Sequence, residues 1–170
     1  HDNTSVEYYC TIFAMAASKL EKGVLWTGSD DGLVHVSRDD GKSWQDVTPS
    51  ALPPWSTVNQ IDIGTHAPGT AYVAAYRYRL DDFRPFAFVT HDYGRTWRSI
   101  AGDLPADGGF VRVVREDPVR DSLLYCGTET GLYFSVDEGA HWRPLRVNRP
   151  GLIAELDRPD GEVRGALPLV

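Results

Sequence analysis

Apolar residues in this chain come in short runs broken by turn formers. Segments rich in Val, Ile, Tyr, Phe and Trp are separated by clusters of Gly, Pro, Asn and Asp, and no stretch sustains the 3.6-residue apolar period of a helix. The pattern predicts an all-β chain. Its strands fall into three groups of four: 8–16, 23–28, 33–37 and 43–48; then 58–64, 70–77, 86–90 and 96–101; then 110–117, 122–127, 132–135 and 141–147. Each group reads as an antiparallel meander joined by short turns.

The turn between the third and fourth strands is spelled the same way each time, Ser/Thr-x-Asp-x-Gly-x-x-Trp. Its members are Ser37, Asp39, Gly41 and Trp44; Thr90, Asp92, Gly94 and Trp97; and Ser135, Asp137, Gly139 and Trp142. The aspartates stand 53 and then 45 positions apart, a spacing typical of repeat architectures. Asp is the right length to accept the backbone N–H groups of its own turn, Gly supplies a positive φ, the hydroxyl makes a second local bond, and Trp covers the turn. A catalytic reading of Asp137 would demand three equivalent active sites, so the motif is read as structural. Four-stranded meanders repeating at this interval predict a β-propeller of three blades, 8–48, 58–101 and 110–147, within residues 1–147.

The motif resembles the Asp-box, or bacterial neuraminidase repeat, of sialidases, xyloglucanases, sortilin-type receptors and photosystem assembly factors. The stretches GVLWTGSDDGLVHVSRDDGKSW and RVVREDPVRDSLLYCGTETGLYFSVDEGAHW are similar to bacterial proteins of this repeat class that are often labelled glycosyl hydrolases. The resemblance runs over residues 8 to 147 and implies the propeller fold, a functional face away from the boxes, and a secreted or periplasmic setting. Beyond it, residues 148–170 form a divergent tail that reads as a hairpin, standing where a further blade is expected or covering an exposed edge strand.

Three blades do not close a ring, because propellers use four to eight. Two copies pairing into a six-bladed ring, or membership of a larger propeller, would bury the two end faces. The chain opens on His1 rather than Met, which reads as processing or excision from a longer protein. Asp2 and Glu7 precede the first apolar run without any Lys or Arg, the wrong charge for a secretory leader, so the run is read as a strand.

Composition narrows the partners. Across 170 residues, 17 basic against 24 acidic side chains give a net charge of −7, which argues against nucleic acid and anionic membranes as partners. No run reaches the ~18 to 20 apolar residues of a membrane span. Cys10 and Cys126, 116 positions apart in strand patterns, are expected to be separate buried thiols. The five histidines lack metal-ligand spacing, His91 and His141 being taken as surface residues of the turns, and no Gly-rich phosphate loop follows a strand. The pairs Asp30-Asp31 and Asp39-Asp40 before Gly faintly suggest calcium but lack further oxygen ligands, so neither metal nor cofactor is expected.

In a meander, the second-to-third-strand loops and the interblade connections lie at the end opposite the motif turns. Three such loops differ: GSDDG with Asp30 and Asp31, GTETG with Glu129, and the expanded YRYRLDDFRP with Arg77, Tyr78, Arg79, Asp81, Asp82 and Arg84. Guanidinium and aromatic groups in alternation suit sugar-ring stacking and bidentate carboxylate binding; the competing reading is an Arg/Asp network that pins the loop. Trp55, in the connection PSALPPWST, is a sugar platform or a ring packed on its prolines. The function expected is a scaffold that binds carbohydrate or a protein partner on this face. The alternative is a glycoside hydrolase drawing its carboxylate pair from Asp30, Asp31, Asp81, Asp82 and Glu129, which requires separations of about 5 Å or about 6.5 to 9.5 Å. A sialidase is disfavoured, since Phe83-Arg84-Pro85 lacks the Ile of the Arg-Ile-Pro signature and follows the first box.

Overall fold

A computed structural model describes residues 10–105 and 108–145. Twelve strands run in chain order: β1 Ile12–Ala17, β2 Leu25–Ser29, β3 Val34–Ser37, β4 Gln45–Asp46, β5 Thr57–Ile63, β6 Ala71–Arg77, β7 Asp82–Thr90, β8 Arg98–Ser99, β9 Val111–Glu116, β10 Leu124–Thr128, β11 Leu132–Ser135 and β12 Arg143–Pro144. They make three separate four-stranded sheets, each an antiparallel meander of sequential strands, as the apolar pattern predicts. Register is set by side-chain alternation: Met15, Thr27 and His35 stand opposite one another in the first sheet, Ile61, Val73 and Phe88 in the second, and Val114, Cys126 and Tyr133 in the third. A slip of one residue would turn each of these rows to the other face.

The sheets stack face to face in chain order. Between the first and second lie Trp26, Val36, Val58, Ile61, Val73 and Phe88. Between the second and third lie Tyr72, Val89, Ile100, Val111, Leu124 and Cys126. Each aliphatic side chain buried there contributes roughly 1.5 to 3 kcal/mol. The second seam adds a polar latch: Tyr72 Oη donates to Glu116 Oε1 at 3.0 Å, Thr65 N–H donates to Glu116 Oε2 at 2.5 Å, and Arg115 pairs with Asp62 at 2.9 Å. Burial pushes the Asp62 carboxyl up against the opposing pull of Arg115.

Some expectations are revised. The fourth strands shrink to two residues; in the first sheet Asp46 Oδ1 accepts from the Thr48 N–H, while Thr48 Oγ1 accepts from the Val34 N–H, which bends the chain out of the ladder. The expanded loop of the second sheet is mostly strand. Its ladder continues to the pair Arg77 and Asp82 and closes on a single 3-10 turn, Tyr78–Leu80, with Asp81 left-handed at φ 56°. Cys10 is exposed and precedes β1 with φ 69°, so only Cys126 is a buried thiol, its pKa pushed up to about 12 by burial. The tail 148–170 lies outside the described residues.

Candidate functional site

The two ends of the sheets are chemically different. At one end, the three motif turns repeat one set of bonds. Asp39 Oδ1 accepts from the Ser43 N–H at 2.8 Å, Asp92 Oδ1 from the Thr96 N–H at 2.9 Å, and Asp137 Oδ1 from the His141 N–H at 2.9 Å. The hydroxyls of Ser37, Thr90 and Ser135 donate to those carboxylates and accept the N–H of Gly41, Gly94 and Gly139 at 2.8, 2.9 and 2.8 Å. The second carboxylate oxygen is also used: Ser43 and Thr96 donate their hydroxyls to it, and His141 Nδ1 stands 2.7 Å from it. The Ser43, Thr96 and His141 position is therefore part of the motif, and His141 is a working member of its turn rather than a bystander. Hydrogen bonds to the charged form, from Ser43 first, hold Asp39 at about 2; Thr96 does the same for Asp92, also about 2. Asp137, bonded by Ser135 and His141, is also held well below the usual carboxylate range.

The motif tryptophans reach outward. Trp97 Nε1 donates to Val47 O of the preceding sheet at 2.6 Å, and Trp142 Nε1 to Ile100 O of its own preceding sheet at 2.5 Å. Trp97 also meets Trp26 edge to face, with centroids 6.1 Å apart. Trp44 has no sheet before it among the described residues; its Nε1 bonds Gly41 O of its own turn at 3.1 Å, and the side chain is 41% exposed. The expected turn-covering role holds for Trp44 and for Trp142, whose ring also lies over Gly139, but Trp142 adds the bond to the preceding blade. An aliphatic residue three positions after each Trp (Val47, Ile100, Leu145) was the available sequence signal for the outward role.

At the opposite end, the second-to-third loops meet the interblade connections. Trp55 N–H donates to Asp31 O at 3.0 Å, and Glu129 N–H to Phe110 O at 3.1 Å. Here Trp55, Arg77 and Arg79 line one cavity of about 410 Å³, with Asp30, Thr57, Tyr76 and Leu80. Trp55 is half exposed and has φ 64°, a conformation that a tryptophan rarely holds. Asp30 is buried and takes the Thr11 N–H at 2.9 Å. Arg77 Nε is a buried donor with no hydrogen-bond partner.

The other candidates lie outside this cluster. Tyr78 stacks on Phe110 at 5.1 Å and meets Tyr76 at a tilt with centroids 5.0 Å apart, tying the hairpin to the residue that leads into the third sheet. Arg84 pairs with Asp82 at 2.7 Å and Arg77 with the same carboxylate at 3.1 Å. Asp82 is accordingly held far below the usual carboxylate range, chiefly by Arg84, the wrong direction for a general acid. Asp81 is exposed at the turn, Asp31 accepts the Ser29 hydroxyl, and Glu129 pairs with Arg112 at 2.6 Å. A wider groove of about 650 Å³ runs beside Trp97 between β4 and β8, opened by the shortness of those outer strands; none of the candidate ligand or catalytic residues of the loop end line it. Among the described residues no cluster of His, Cys, Asp and Glu could hold a metal ion, and no helix is long and apolar enough to cross a membrane.

Solved structures share this arrangement. A YCF48 bound to a D1 peptide superposes with a TM-score of 0.60 at 19% identity, over 79% of this chain and 40% of that one. An ancestral GH74 enzyme gives 0.66 at 19% identity over 83% and 19%. The GH74 xyloglucanase from Xanthomonas campestris gives 0.55 at 22% identity over 74% and 19%. The fold is that of a β-propeller. The three sheets are its blades, and the chain spans well under half the length of these neighbours. No protein-family model matches the chain, and no curated protein does.

Proposed function

We propose that this chain is part of a scaffold propeller whose three turns are Asp boxes and whose loop end binds a carboxylate-bearing ligand, either an acidic sugar or the acidic end of a peptide. The observation that carries the reading is the convergence of Trp55, Arg77 and Arg79 on one cavity. Two guanidiniums and an indole match a carboxylate beside an apolar face. Likeness to a YCF48 holding a peptide is in keeping with it. A second copy of the chain is proposed to complete the ring.

The test is calorimetric titration with a uronic-acid oligosaccharide and with a short acidic peptide. Saturable binding of at least one, weakened ~10-fold or more by Arg79→Ala and by Trp55→Ala and falling with salt, supports the reading. Equal affinity in both variants, or no binding of either probe, overturns it. Hydrolysis is the second reading, favoured by likeness to the xyloglucanase. Turnover of a polysaccharide that Asp81→Asn or Asp82→Asn abolishes would replace binding by catalysis.

A further inference from the structure

Each internal blade junction uses the same two-part contact, to which a third of differing chemistry is added. The motif Trp donates to the carbonyl three residues after the preceding blade's Trp: Trp97 to Val47 O, and Trp142 to Ile100 O. The motif Gly lies against that same residue, so close that a Cβ on Gly94 would stand 2.6 Å from Val47 Cβ, and one on Gly139 2.7 Å from Ile100 Cβ. The residue before the Gly reaches back as well: Glu138 pairs with Arg98 at 2.7 Å, and Tyr93 takes Arg38 over its ring at 3.9 Å.

Among the described residues, one copy of each half meets no other blade. The first blade presents Trp44, with its ring exposed, Gly41, with no neighbouring blade within reach of its Cβ position, and an exposed Asp40. The third blade presents half-buried Leu145, in the place of Val47 and Ile100, and an exposed Arg143, in the place of Arg98. We infer that these halves join in trans: blade one of one copy seats on blade three of a second copy, with Trp44 Nε1 exchanging its bond to Gly41 O for one to the partner's Leu145 O, Gly41 against the partner's Leu145, and Asp40 paired with the partner's Arg143.

Two such contacts related by a two-fold axis close a six-bladed ring, and their Trp and Gly parts are those already built twice within the chain, the charge pair once. The charges agree, Asp40 and Arg143 standing where Glu138 and Arg98 pair internally. The inference rests on the reading that a second copy completes the ring.

Sedimentation velocity over the micromolar range, with circular dichroism as a control for folding, tests it. A dimer is expected. Trp44→Ala should weaken it ~30-fold or more, as loss of a buried aromatic anchor does. Asp40→Arg should weaken it ~5-fold, and adding Arg143→Asp to the same chain should restore it. A folded chain that stays monomeric overturns the second-copy reading. A dimer indifferent to Trp44→Ala and to the charge reversal overturns this junction while leaving self-association standing.

Discussion

Trp44 and Trp142 occupy the same motif position, follow the same turn chemistry and end in different surroundings. Trp142 is 7% exposed and its indole N–H is spent on the preceding blade; Trp44 is 41% exposed and bonds its own turn. The difference shows that the motif has two separable parts. Ser or Thr, Asp and Gly build the hairpin from within, and do so identically whether or not another blade is present. Trp works between blades, and its energetic worth depends on what lies in front of it.

Three substitution or titration series sharpen that division, each read at a concentration where the chain is monomeric. The largest effects are expected from the tryptophans. Trp142→Ala should cost ~3 to 5 kcal/mol, half-buried Trp97→Ala ~2 to 3 kcal/mol, and Trp44→Ala under ~1 kcal/mol, by urea denaturation. Equal losses at all three positions would mean that the ring stabilises its own hairpin and not the junction.

The glycines give the next largest contrast. Gly41, Gly94 and Gly139 share φ of +81°, +81° and +79°, so each Ala variant meets the same left-handed strain of ~1 to 2 kcal/mol. At Gly94 and Gly139 the new Cβ also collides with Val47 and Ile100, which adds ~1 to 3 kcal/mol. Gly41→Ala escapes that second cost. Matched stabilities for the three variants would remove the junction contact from the account.

The smallest effect is in pH. The folded values of Asp39 and Asp92, about 2, lie below the ordinary 3.8. Their contribution is therefore complete above about pH 4 and is lost as pH falls through about 2. Asp137 runs the same way, but its partner His141 is raised above its ordinary 6.5 by the Asp137 carboxylate. That part is complete below pH 6.5 and fades as pH rises through the raised value. Thermal melts across pH should show this alkaline limb in the native chain and lose it in His141→Ser, which restores the hydroxyl found at Ser43 and Thr96. An unchanged alkaline limb in the variant would assign it to another group.

The loop end was legible in part. Arg77, Arg79 and Trp55 could be picked out as residue types suited to a ligand, and the meander placed them at one end of the sheets. The Arg84–Asp82 pair is the Arg/Asp network named as the competing reading of this loop, whereas Tyr78 turning away could not be read, because Phe110, which holds it, acts through packing rather than spacing. The same limit explains Cys10: its apolar neighbours suggested a buried strand, but the first blade has no described blade before it to cover that position.

Period-two alternation and a repeated turn motif determined the strands, their order and the number of blades, because both are local: alternation fixes which face a side chain takes, and a turn closes on its own bonds. Only the tertiary structure decided what the motif tryptophans do, which carboxylates are already spent on arginines, and which arginines share a cavity. The tryptophan contacts depend on groups some 40 to 50 residues apart being brought within hydrogen-bond distance, which the stacking of one blade on the next does, while the arginine pairs and the shared cavity depend on where the hairpins and interblade connections place their side chains.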